Sequence, residues 1–394
     1  MNGEEMYRWA SDLFPICRSI TGPGVRATLE YVKTVLPNLS VCSVPSGTKA
    51  FDWTIPDEWF LHSGELWDDK GNQLIEAGNN NLHVMGYSAA VDGLFSLDDL
   101  QGHIHSLPDQ PDAIPYVTSY YKRDWGICLA HNDRLKLEAG SYQVKIDADI
   151  IPGVMNYGEL VIPGKTNKEV LLSTNICHPS MANNELSGPV VLMALARELA
   201  MRNNRLTYRI LFLPETIGAI YYISKHLDHL RDNMVEGFHV ICVGDGRPLG
   251  WGERGSDDRQ WNSALVNLPV STITRGKIGD YPEYHTSLDD MDYISAGNLS
   301  EAYRYVMAAI NGLEMNKTYR AVYHCEPMLG KRGLYPNVST KDTLKQVEVM
   351  LHILRLADGH LDMAAIAHKL GVSLSVCADV ANRLEAAGVL EEVV

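Results

Sequence analysis

The sequence is short of positive charge. Its 394 residues carry 34 Lys and Arg against 49 Asp and Glu, a formal net charge of −15. Broad nucleic-acid binding needs Lys and Arg to neutralise phosphates, and adhesion to an anionic membrane surface needs the same groups. The composition argues against both partners. Long apolar runs are missing too: no stretch approaches the roughly 20 residues that cross a bilayer. The opening Met-Asn-Gly-Glu-Glu-Met-Tyr-Arg-Trp-Ala is acidic and amphipathic, without the basic start and apolar core of a secretion signal. Cysteine is scarce and unpatterned. Cys17, Cys42, Cys128, Cys177, Cys242, Cys325 and Cys377 are odd in number, widely spaced and never in a Cys-x-x-Cys pair. That excludes a disulfide framework or zinc knuckle of the usual kind and predicts reduced thiols in a cytoplasmic protein.

What is present changes character along the chain. Over residues 4–36 a helical pattern, with Tyr7, Ala10, Leu13 and Phe14 as its apolar stripe, is broken by Thr-Gly-Pro-Gly at 21–24. Residues 51–149 are rich in Trp, Tyr, Pro, Gly and Asn, with short alternating runs such as 142–147 between turns such as 69–72; they read as an inserted β-rich domain. Strands at 169–174, 208–213 and 238–243 then alternate with helical patterns at 187–201, 218–229 and 298–315. This predicts an α/β fold, a mostly parallel sheet covered by helices, built from residues 1–50 and 150–340. Residues 341–394 hold three short helices and a terminal strand, a winged helix-turn-helix.

Sites in such sheets collect at the C-terminal ends of the strands. The three strands run into Asn-Ile-Cys-His, Leu-Pro-Glu-Thr and Val-Gly-Asp-Gly, and a fourth apolar segment leads to Tyr-Pro-Glu-Tyr-His. His178, Glu215, Asp245 and His285 are thereby placed to converge. Imidazole and carboxylate donors suit Zn²⁺, and a Glu left off the metal serves as general base for a water. Tyr284 adjoins His285 as a second catalytic candidate. Asp289 is expected to back His285, with helix capping as its alternative role. Cys177 is expected to be buried and inert, facing away from His178 as strand neighbours do. Arg254, Asp257, Asp258 and Arg259 form a charged loop in which Arg259 is placed to orient substrate. Lys331 and Arg332 form a basic pair, and the Arg332 fork suits a substrate carboxylate.

His178, Ala-Asn-Asn-Glu-Leu-Ser-Gly (182–188), Glu-Thr-Ile-Gly (215–218), Asp245 and His-Thr-Ser-Leu-Asp-Asp (285–290) resemble the metal-site segments of the co-catalytic zinc aminopeptidases, a superfamily that includes the glutaminyl cyclases. Arg-Ser-Ile-Thr-Gly (18–22), Pro-Tyr-Val-Thr-Ser-Tyr-Tyr (115–121) and Leu-Gly-Lys-Arg-Gly-Leu-Tyr-Pro (329–336) are similar to a bacterial aminopeptidase-like subgroup with a β-rich insert and a C-terminal winged helix, often associated with polysaccharide or natural-product biosynthesis. The resemblance implies that His178 and Asp245 bind one metal, that His285 binds a second, and that Glu215 is the base. Where the family has a bridging Asp this chain has Asn184, a neutral and weaker ligand. Where the family has Glu-Glu it has Glu215-Thr216. One Zn²⁺ is therefore expected rather than two.

The expected activity is a metal-dependent aminopeptidase- or amidase-type hydrolase of a small peptide or amide, including a biosynthetic intermediate. The missing carboxylates keep open a cyclase or acyl-transferase on the same fold, and also a non-catalytic interaction protein. The winged helix invites a DNA-binding reading, but residues 341–394 carry five Lys and Arg against eight Asp and Glu, a net −3. It is expected to pack on its own chain or to mediate a homo-oligomer. The aromatics Trp53, Trp59, Trp67, Tyr120 and Tyr121 are expected in the core of the insert, with covering of the active-site cleft as their functional alternative.

Overall fold

Two amphipathic helices open the chain, each with a start signal. In α1 (Gly3–Leu13) the Asn2 side chain accepts the Glu4 N–H at 3.1 Å, and Glu4 and Glu5 face the positive end of the helix dipole. The buried face is Met6, Trp9, Ala10 and Leu13. The expected stripe through Tyr7 and Phe14 shares only Ala10 and Leu13 with it; Tyr7 is half-buried and donates its hydroxyl to Met291 O at 3.0 Å. Two registers fit the same spacing, and the one with Met6 and Trp9 buries more apolar surface. Pro23 begins α2 (Pro23–Val35), where its missing N–H goes unneeded. Gly22 before it has φ 99°, and a Cβ there would lie 2.3 Å from Trp59 O, so only glycine fits the break. The computed structural model describes residues 2–252, 255–335 and 341–393, with the backbone alone over 341–346.

Among the described residues seven strands form the central sheet: β1 (Ser40–Pro45), β2 (Val154–Ile162), β3 (Glu169–Asn175), β4 (Thr207–Leu213), β5 (Met234–Val240), β6 (Leu249–Gly252) and β7 (Val270–Arg275). Their order is β1-β2-β4-β3-β5-β7-β6. The four central strands are parallel; β2 and β6 run against them, and the edge strand β1, paired antiparallel with β2, shares their direction. β3 is buried along its whole length, as a central parallel strand covered on both faces must be. Helices α3 (Ser187–Ala200) and α4 (Ile217–Asn233) follow β3 and β4, and α5 (Ala296–Met315) follows β7. Arg209 of β4 ties three strands together. Its guanidinium meets Glu169 of β3 at 2.8 Å and 2.9 Å, and it also pairs with Glu159 of β2. β5 ends at Val240, earlier than expected, so Cys242 and Asp245 lie in the loop beyond it.

The insert is a four-stranded antiparallel sheet with Glu58–Trp67 and Ser141–Ile151 at its centre and Gln73–Glu76 and Val91–Ser96 at its edges. Alternate residues Tyr142, Val144, Ile146 and Ala148 are buried, the period-two signature of a half-buried strand. The insert is not a separate body. Trp59, Leu66, Val144 and Ile146 share one apolar cluster with Leu171, Leu211, Tyr222 and Trp261 of the α/β part, and Met1–Arg304 forms one compact unit.

The second unit, Tyr305–Val394, holds the winged helix. Ser373 caps the helix Leu374–Ala386, and Gly371, at φ 64°, ends the helix Met363–Leu370. The strand Thr318–Ala321 lies between Asp358–Asp362 and Leu390–Val393, and Tyr319 joins the core of Ile366, Cys377 and Leu384. The expected boundary at residue 341 therefore cuts off one strand of this sheet. Among the described residues no single helix is long and apolar enough to cross a membrane.

Gly188, near the start of α3, lies against β3 and β5, and a Cβ there would sit 2.3 Å from both Thr174 Oγ1 and Val240 O. Gly188→Ala is expected to destabilise the protein by about 1–3 kcal/mol, as overpacking does. The measurement is the urea midpoint at unchanged slope; an unaltered midpoint would contradict this packing.

Candidate active site

The polar residues that follow the central strands meet in one cavity of about 310 Å³, lined by Cys177, His178, Glu215, Thr216 and His285 together with aromatic residues of the insert. β3 stops at Asn175, and the buried chain continues to His178. Arg18, itself buried, donates from Nε to His178 O at 2.9 Å and from Nη1 to Leu13 O at 2.7 Å, which fixes this stretch of backbone. The His178 ring is held at both nitrogens. Nδ1 is 2.8 Å from Glu185 Oε2, and Nε2 is 3.4 Å from Glu215 Oε2. Burial works against a charged His178, but its pKa is pushed well above the usual imidazole range, with the Glu185 carboxylate beside it favouring the charged ring.

Cys177 is buried as expected, but it does not face away from His178: its sulfur lies 3.4 Å from Nδ1. The strand has already ended, so pleat alternation no longer applies. Burial pushes the Cys177 thiol up to about 12, so it remains a neutral thiol. Its sulfur accepts the Glu215 N–H at 3.2 Å. Glu215 and Thr216 form the tight connection into α4. Thr216 has φ 64°, a strained position for a β-branched residue. Its N–H is held by Asp257 Oδ1 at 2.8 Å. Burial, then the Glu215 charge, raise the Asp257 carboxyl well above its usual range.

His285 also has a left-handed backbone, φ 56°. Its carbonyl accepts the Tyr116 N–H at 2.9 Å. The Tyr116 ring packs on both histidines, 4.9 Å from His178 and 5.2 Å from His285, and the two imidazoles are 5.2 Å apart. Burial, with His178 adding to it, lowers the His285 pKa to about 3, so the ring is neutral and keeps a lone pair. Tyr284 stacks on His285 at 3.9 Å. Burial lifts its phenol to about 12, so it stays protonated at neutral pH.

Other expected residues have different partners. Asp245 is the clearest case. Its oxygens accept the Arg247 N–H at 2.7 Å, the Arg247 guanidinium at 2.9 Å and 3.1 Å, and the Asn183 amide at 2.6 Å. Asp289 does not back the His285 ring. Its carboxylate accepts the backbone N–H groups of Asn183 at 2.6 Å and Asn184 at 2.9 Å, so it caps the turn before α3. That turn, Ala182–Leu186, is wound as one π-turn, a form often found at functional sites. In it the Asn184 amide nitrogen lies 3.5 Å from Cys242 Sγ, while Asn184 Oδ1 and Glu185 Oε1 are buried without partners. Among the described residues, the His, Cys and carboxylate ligand atoms of Cys177, His178 and Glu185 gather within 4.8 Å of one another, a set not anticipated from the sequence.

Arg259 is exposed, with Nη2 3.5 Å from Thr216 Oγ1 at the edge of the cavity. Asp258 instead ties its own loop, accepting the Ser256 N–H at 2.9 Å. Arg254 and Pro336 lie outside the described residues. Arg332 belongs to the second unit, where it donates to Met328 O at 3.2 Å and lies over the Tyr323 ring. Sequence reasoning passed over Glu185, Arg18 and Tyr116. All three lie within or beside quoted motifs, but no spacing rule assigns their partners.

Known proteins share this architecture. The profile of a family described as a domain of unknown function, DUF4910, matches residues 7–251 and 247–316, and a winged helix-turn-helix profile matches 317–392. A Clostridium acetobutylicum protein named for polysaccharide biosynthesis and an aminopeptidase-like domain is 37% identical over 418 residues, spanning 97% of this chain and 96% of that protein. A crystal structure from the same organism, named as a peptidase, has a TM-score of 0.89 at 36% identity and covers 99% of this chain and 96% of that one. A zinc aminopeptidase of Bacillus subtilis has a TM-score of 0.55 at 13% identity over 79% of this chain and 95% of its own, a likeness of fold alone.

His239 anchors the loop behind Thr216. It sits 3.0 Å from Ser173 Oγ and 3.0 Å from Ser256 Oγ, and burial lowers its pKa from 6.5 to about 4. The unfolded chain binds this proton more readily, so the contribution is present above pH 6.5 and is lost as pH falls toward 4. Stability is expected to drop by up to about 1.4 kcal/mol per pH unit in that window. Denaturation at pH 7 and pH 5 checks it; His239→Gln should flatten the dependence, and an equal slope in both proteins would refute the assignment.

Proposed function

The chain belongs to the DUF4910 family, and we propose that it is a zinc-dependent hydrolase of aminopeptidase or amidase type acting on a small peptide or amide. The observation that carries this reading is the meeting of two imidazoles and one carboxylate, His178, His285 and Glu215, in one cavity. The residues fit a single Zn²⁺. His285 is neutral, Glu185 orients His178 through Nδ1 as carboxylates orient ligating histidines, and Asn184 offers a buried oxygen without a partner. His178, His285 and Asn184 would hold the ion. Asp245 is held instead by Arg247 and Asn183. A zinc ion bound there supplies Lewis acidity to an amide carbonyl and a water.

The remaining steps belong to the chain. Glu215 takes the proton of the attacking water and returns it to the departing nitrogen. Thr216, pinned by Asp257, fixes the backbone from which Glu215 projects. The name of the Clostridium relative supports a biosynthetic intermediate as substrate. Asn184 and Thr216, where the resembling family has carboxylates, favour a second reading: cyclisation or acyl transfer at the same site. Product mass separates the two, since hydrolysis adds water.

Purified protein is expected to hold about one zinc per chain, fewer than the two of a co-catalytic site. His178→Ala should lose it. Glu215→Gln should keep the metal while slowing amide cleavage by about 10²–10⁴-fold. Elemental analysis and aminoacyl-amide assays measure both; wild-type protein that takes up no zinc would sink the proposal.

A further inference from the structure

The cavity has a wall that its chemistry does not require. It is built by Trp53, Tyr116, Tyr120 and Tyr121 from the insert, facing Ile20 and Ile217. The inner part is rigid and self-satisfied. The Tyr116 and Tyr120 hydroxyls meet at 2.6 Å, and Tyr120 is braced edge-on by Tyr87 at 5.3 Å. Burial holds both phenols protonated, so they present neutral ring surface. The outer part is a different case. Trp53 and Tyr121 form an edge-to-face pair at 5.7 Å, yet remain 37% and 60% exposed. Trp59 in the same insert stacks on Tyr87 and is buried at 4%. Exposed aromatic rings packed as a pair at the edge of a reaction cavity are apolar surface available to a ligand.

We infer that this wall is a specificity pocket, which selects amides whose residue beside the cleaved bond carries a flat aromatic side chain. The inference rests on the reading of the cavity as the reaction site. Three features set the ligand class. The volume, about 310 Å³, lies at the small end of ligand sites and suits one aminoacyl residue rather than a long peptide. The aromatic wall itself carries no charged group, so an acidic side chain lying against it would meet no countercharge. Aromatic rings also favour another ring, held edge-to-face or offset.

The test uses full-length, zinc-loaded protein and three probes: the simple amides of phenylalanine, alanine and aspartate. Calorimetric binding and turnover are measured separately. Phenylalaninamide is expected to bind about 10-fold or more tightly than alaninamide, with aspartate amide weakest. The double variant Trp53→Ala/Tyr121→Ala should lose most of that preference with little change for alaninamide; Trp53→Phe/Tyr121→Phe should keep it. Both positions are exposed, and an unchanged thermal midpoint verifies that the variants fold. Equal binding of phenylalaninamide and alaninamide, or a preference untouched by the double alanine variant, overturns the inference. Aromatic preference in binding without cleavage of any amide supports the pocket and counts against hydrolysis. Cleavage without aromatic preference does the reverse.

Discussion

Two hydrogen bonds to one buried carboxylate hold the site together. Asp289, 0% exposed, receives the N–H groups of Asn183 and Asn184. It comes from the loop that carries His285, and the amides belong to the turn that follows His178. The same turn passes its Asn183 side chain onward: the amide nitrogen to Asp245 and the oxygen to Gly244 N at 2.8 Å. One acceptor thus couples three loops that are far apart in sequence. Burial raises the Asp289 carboxyl to about 6, against the two amides that favour its ionised form. Its place at the start of a helix adds a favourable dipole.

The same accounting explains why an acidic chain has so little free carboxylate at its site. Asp245 is taken by Arg247, Asp289 by backbone amides, and Glu185 by His178. Asp257 holds Thr216. Glu215 is the carboxylate that lines the cavity. Each of the others positions something else.

The parallel centre of the sheet was legible because β3, β4 and β5 are apolar runs bounded by turn signals, followed by helical periodicity. The antiparallel edges were not, since strand direction at an edge leaves no mark in a single sequence. His178, Glu215 and His285 could be placed because strand ends converge by topology. Asp289 takes the capping role held open as its alternative; its Asn183 and Asn184 partners, and the Arg247 partner of Asp245, were not legible because a loop carboxylate takes the nearest donor and none of these groups announces itself. Cys177 was read with strand geometry two residues after the strand had ended. Thr318–Ala321 was missed as part of the winged helix because four residues carry too little alternation to declare a strand.

Tyr116 reaches forward to His285, and Arg18 reaches forward to His178. The earliest contributor to the site lies near the start of the chain and the latest, Asp289, near the end of the first unit. A growing chain therefore has no site until almost all of that unit has been synthesised. Contacts this distant in sequence close slowly, because loop entropy must be overcome before they form. The bond from the insert to His285 joins the two halves of this delay, because it adds a second fastening to the loop that Asp289 ties to the turn before α3. The site is then completed late and all at once, so partly made or partly unfolded protein lacks it.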